Sequence, residues 1–96
     1  MPALSQYANV NSTALAVLEE KGYQVWYEKE TELYYAEKDG WDFAADDPCG
    51  LLGVVAIYEF KRPRQYSEYW WRHGSAADTK SVPTKPRRRY KSVVAR

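Results

Sequence analysis

The sequence predicts a small single α+β domain: a helix, a three-stranded antiparallel sheet, a second helix and a short third helix, with a disordered basic C-terminal tail. Three observations carry this reading. An apolar stripe near residues 13–21 sits between cap-forming residues and a glycine. Residues 23–45 alternate in side-chain character and are broken by two turn signals. After Gly74 the composition changes abruptly to Ser, Thr, Pro, Lys and Arg, which sets boundaries of 1–74 for the domain and 75–96 for the tail.

Ninety-six residues fit one domain. A chain this short buries a low fraction of its surface, so its core is marginal. Nine Tyr, four Trp and two Phe, against one Met and one Cys, answer that shortage, because aromatic rings carry the largest buried area per residue.

The first helix is expected near 13–21. Asn11-Ser12-Thr13 supplies cap oxygens, Ala14, Leu15, Val17 and Leu18 supply the stripe, and Lys21-Gly22 closes it. Tyr23 to Glu28 then alternates, with Tyr23, Val25 and Tyr27 on one side and Gln24, Trp26 and Glu28 on the other. Lys29 to Glu32 is a polar turn, and Leu33 to Lys38 is the returning strand. Asp39-Gly40 is a strong two-residue hairpin signal, and Trp41 to Ala45 follows as the third strand.

Asp46-Asp47-Pro48 opens the second helix, with Asp accepting an orphan amide and Pro having none to lose. Residues 48–62 also carry strand character in Val54-Val55-Ala56-Ile57-Tyr58 and two glycines, Gly50 and Gly53. Their length between an Asp-Pro start and the stop at Pro63 favours helix. On that helix Gly50, Gly53 and Ile57 share one face, which is expected to let the backbone approach the sheet aromatics. Tyr66, Tyr69 and Trp70 fall at i, i+3 and i+4, which predicts the short third helix, closed by Gly74.

The first five elements resemble, in their order, the double-stranded-RNA-binding domain. That family meets phosphate with basic residues at the start of its second helix. Here Asp46-Asp47-Pro48-Cys49 stands at that position, so the resemblance stops at element order.

Charge is distributed unevenly. Residues 1–60 hold eleven acids and three bases, a net −8, and residues 61–96 hold two acids and eleven bases, a net +9. The overall +1 therefore describes an acidic body joined to a basic end.

Several chemistries lack their residues. Cys49 is the single cysteine, so no internal disulfide forms within the chain. Met1 to Val10 has no basic n-region and no apolar run of a secretory leader, and Pro48 to Tyr58 is too short to span a bilayer. A cytoplasmic location without membrane contact is expected. Gly50-Leu51-Leu52-Gly53 lacks the lysine and the length of a phosphate loop. Asp39, Asp42, Asp46 and Asp47 lack the calcium-loop spacing, and no Cys/His pair has zinc-ligand spacing, so no metal and no cofactor is expected. An enzyme would have to use Cys49 as nucleophile and His73 as base, and the aspartates beside Cys49 disfavour a thiolate.

Two surfaces are expected to bind. The first is the aromatic group Tyr66, Tyr69, Trp70, Trp71 and Arg72. Adjacent Trp residues cannot both enter one core from a single helix, so one is expected to stay exposed beside Arg72. The second is the segment Lys85, Arg87, Arg88, Arg89, Tyr90 and Lys91, whose cations and ring suit a polyanion. The sequence thus points to a non-enzymatic binding or regulatory protein that docks to a protein partner, or to itself, through its acidic, aromatic domain. The alternative is a nucleic-acid-binding protein that uses the tail. A third reading folds the tail back onto the acidic body.

Overall fold

The computed structural model describes residues 4–74 and 82–93. The order is α1 (Val10–Glu20), β1 (Gln24–Glu28), β2 (Leu33–Lys38), β3 (Trp41–Ala45) and α2 (Pro48–Lys61). The three strands form one antiparallel sheet in the order β1-β2-β3. Both helices lie side by side against one of its faces, as their contacts with each other and with the strands require.

Helix α1 begins three residues earlier than the cap residues suggested. Asn9 precedes it without a side-chain cap, and Asn11, Ser12 and Thr13 lie inside its first turns. The cause is the stripe Val10, Ala14 and Leu18, at i, i+4 and i+8, which continues the buried face backward. Its end is as expected: Gly22 takes a left-handed φ of 96°, and the Tyr23 amide donates to the Leu18 carbonyl.

The strands pair in register, with Val25 opposite Ala36 and Ala36 opposite Phe43. Asp39 and Gly40, both with positive φ, make the tight turn between β2 and β3. The covered face presents Val25, Ala36 and Phe43, and the helices bring Leu18, Leu51 and Val55 down onto it. Leu18, Leu51 and Val55 are fully buried.

Helix α2 settles the conflict in residues 48–62. The Asp47 carboxylate accepts from the Gly50 amide at 2.6 Å, Pro48 occupies the first turn, and Arg62 closes the helix in the left-handed region before Pro63. The expected orientation is overturned. Leu51 and Val55 face the sheet, while Gly53 and Ile57 face outward and a Cβ on Gly53 meets nothing within 4 Å; Gly50 lies over the end of β3, where a Cβ would stand 3.4 Å from that of Ala45. Leu51 and Val55 give up apolar surface to the sheet that a glycine does not have, so their side of the helix turns inward and Gly53 is left outside.

The expected short helix over residues 64–74 is also overturned. That segment makes turns, with Trp70 N donating to Ser67 O and Arg72 N donating to Tyr69 O, and Tyr69 has φ 58°. So short a helix is marginal alone, and seating Trp70 on the domain outweighs it. The tail expected to be disordered runs over 75–96. Its residues 75–81 and 94–96 lie outside the described residues, and 82–93 carry neither helix nor strand.

Candidate binding surface

Trp41 at the start of β3 and Tyr58 on α2 meet at 5.1 Å between ring centroids. Trp70 inserts edge-on against both, at 5.5 Å from Trp41 and 6.1 Å from Tyr58. This pins the segment after α2 to the edge of the domain. A second tether is the Lys61 ammonium, which donates to the Arg72 carbonyl at 3.0 Å. The sharp turn at Tyr69 then throws the neighbouring rings outward. Trp71 stands perpendicular to Trp70, 6.1 Å away, and is 47% exposed. Tyr69 packs edge-on against Trp71 at 5.4 Å, and the Arg72 guanidinium lies 4.5 Å over the Tyr69 ring.

The predicted split between the adjacent Trp residues is therefore present: Trp70 is an anchor and Trp71 is offered to solvent. Tyr66 lies apart from the Tyr69–Arg72 ledge. It is exposed and lines a groove with Gly40, Trp41, Asp42 and Trp70 at the β3 edge. The second predicted set is placed separately again. Lys85, Arg87, Arg88, Arg89, Tyr90 and Lys91 are all exposed. The concavity at Pro83–Tyr90 is a curl of the tail lined by no residue of the domain.

Cys49 and His73 are not brought together. Cys49 lies in the first turn of α2, while His73 packs edge-on against Phe60 near its last turn. Eleven residues of helix separate those turns, roughly 16 Å. Asp47, in the acidic group weighed for calcium, is engaged by the Gly50 amide and by Gln6 Nε2. Among the described residues no three His, Cys, Asp or Glu side chains gather as a metal would need. No helix among them is long and apolar enough to cross a membrane.

One polar network was not legible beforehand. Glu59 on α2 pairs with Lys21 at 2.9 Å and accepts from the Tyr23 hydroxyl at 3.3 Å, while Lys38 donates to the Lys21 carbonyl at 2.8 Å. Burial pushes the Tyr23 hydroxyl up to about 12, and the Glu59 charge adds to this. The hydrogen bond from Lys21 holds the Glu59 carboxyl below its ordinary value. These groups satisfy one another and tie three elements together.

A second feature was missed, although its signal was present. The outward residues of the sheet include Trp26 and Tyr35, stacked at 5.5 Å with their planes 9° apart. They alternate out of phase with the core residues, and that alternation is readable in the sequence.

Fold and surface together define a small α+β domain that carries an exposed aromatic ledge and is followed in the chain by a basic segment. No family model, curated protein or solved structure matches the chain, and the functional reading is built on its own geometry.

Proposed function

We propose that the chain is a non-enzymatic binding domain that docks to a protein partner through the ledge formed by Tyr69, Trp71 and Arg72. The observation that carries this reading is the exposure of Trp71 while Trp70 is spent on anchoring. An exposed Trp beside Tyr and Arg has the composition of an interface hot spot. Its mounting adds to this, because rings already held by Trp70 and by the Lys61 tether lose little freedom on docking. The acidic charge of residues 1–60 favours fast association with a basic partner.

The test compares Trp71→Ala with Trp70→Ala in the full chain, reading melting temperature and capture of binding proteins from the native host. Trp71→Ala should change stability by less than about 0.5 kcal/mol, as surface substitutions do, and abolish capture. Trp70→Ala should cost on the order of 2–3 kcal/mol, somewhat less than a fully buried Trp. Undiminished capture by Trp71→Ala overturns the ledge as the docking site.

A second reading, polyanion binding by Lys85, Arg87, Arg88, Arg89, Tyr90 and Lys91, is favoured by the exposure of every one of these side chains. It predicts nucleic-acid affinity that falls steeply with salt. Such affinity in the wild type, lost when Arg87, Arg88 and Arg89 become Gln, would move the function to the tail.

A further inference from the structure

The face of the sheet away from the helices carries a pattern that the ledge does not use. Its central row runs across the three strands as Trp26, Tyr35 and Ala44. On one side lies the row Gln24, Glu37 and Asp42, and on the other the pair Glu28 and Leu33. An exposed aromatic stack, with Trp26 40% exposed, is thus bracketed by carboxylates, and no strand residue on this face is a Lys or Arg. No described helix covers it, since the helices pack against the opposite face.

This chemistry selects guanidinium groups, which stack on aromatic rings and pair with carboxylates. The chain itself supplies such groups. The segment Lys85–Lys91 holds five cations and no acid. Straightened from its curl into an extended conformation, which Pro86 favours for Lys85, the segment carries Lys85, Arg87, Arg89 and Lys91 on one side. Three successive cations on that side span four residues, about 13 Å. Counted along β1, Glu28 on one side of the stack and the row of Gln24, Glu37 and Asp42 on the other are also four residues apart. One cation over the Trp26–Tyr35 stack therefore sets one neighbour beside Glu28 and the other over the row that holds Glu37 and Asp42.

We propose that the uncovered face of the sheet binds the basic segment Lys85–Lys91 of a second copy of this chain. Each copy carries an acidic body, net −8 over residues 1–60, and a basic end, net +9 over residues 61–96, so two copies are complementary in charge to one another. Two copies that exchange tails close as a two-fold dimer with two equivalent contacts. This surface is separate from the Trp71 ledge and goes beyond the docking reading.

The experiment is sedimentation equilibrium on the full chain at about 25 mM and about 500 mM salt, a range over which exposed charge pairs are progressively screened. Three variants are compared with the wild type: Trp26→Ala, the charge-only double change Glu28→Gln with Asp42→Asn, and Arg87, Arg88 and Arg89→Gln. Circular dichroism confirms that each is folded. The wild type should dimerise at low salt and dissociate at high salt, and each variant should associate at least ten-fold more weakly. Mixing the Asp42→Asn double variant, which has a basic tail, with the tail variant, which has an intact face, should restore a dimer held by one contact. That mixed dimer should form at least ten-fold more tightly than either variant alone. A wild type that stays monomeric at low salt overturns the proposal. So does a mixture no more associated than its components, which would place the tail on its own domain. Capture of a partner through Trp71 should survive in Trp26→Ala, so failure here leaves the ledge reading intact.

Discussion

Tyr23 sits where the end of α1, the sheet and α2 meet, and its hydroxyl shows how one polar group is accommodated in so small a core. Its ring is buried and packs edge-on against Phe43 at 6.3 Å, while its oxygen reaches Glu59. Burial and the neighbouring carboxylate both favour the neutral phenol, which raises its value from 10.0 to about 12. The unfolded chain ionises first, so this contribution is complete below pH 10 and is lost as pH rises toward 12. At about 1.4 kcal/mol per unit the loss is at most on the order of 2–3 kcal/mol. Melting curves across that range should fall more steeply for wild type than for Tyr23→Phe. Glu59 works in the opposite direction. Its lowered value adds stability that is present above pH 4.5 and is lost on acidification. More than a third of its side chain is exposed, so solvent screens this effect, and Glu59→Gln should soften the acid limb only slightly.

Among the elements, α2 is the one whose sequence says least about its own orientation. It is apolar almost all round, so its amphipathic signal is weak, and the sheet decided which side turned inward. Leu51 and Val55 became core, and Gly53 was left over open space. Gly53→Ala should therefore stabilise the protein by about 0.5–1 kcal/mol, read as a higher urea midpoint, because Ala removes the entropic cost of a helical glycine without a clash. Gly50→Ala should not match it. A Cβ there would lie 3.1 Å from Asp47 Oδ1, the oxygen that caps the helix. A lower midpoint for Gly53→Ala would mean that the outer face of α2 is covered in the folded protein.

For the whole molecule, the core lies between Ala14 and Val55, well inside the domain boundary at 74. Nothing in that core depends on Lys85 to Lys91, whose side chains are exposed. Limited trypsin should cut between Lys85 and Arg89 and leave a body that melts in one cooperative transition at an unchanged temperature. A broadened or lowered transition after that cut would make the tail part of the fold. The charges separate in the same way. Residues 4–74 hold twelve acids and seven bases, while 82–93 hold five bases alone. A low-salt dimer and a salt-labile tail would both follow from that separation.

The sequence by itself determined the types and order of the five elements from α1 to α2, and most of their limits. Those signals are local: a two-residue period in the strands, Asp39-Gly40 at the hairpin, and Asp47-Pro48 and Pro63 around α2 act within a few residues. It also determined that Trp70 and Trp71 would part company, since neighbouring side chains cannot share one direction. Tertiary structure decided the rest. The backward extension of α1 to Val10, the inward face of α2, the loss of helix at 64–74, and the separation of Cys49 from His73 each depend on which distant surface a segment meets. Trp70 is the clearest case: at i, i+3 and i+4 the pattern reads as helix, yet its ring packs edge-on against Trp41 and Tyr58 and the chain turns instead. A local period records only the preference of a segment. The burial available against the rest of the fold is larger, and it exists only once the fold has formed.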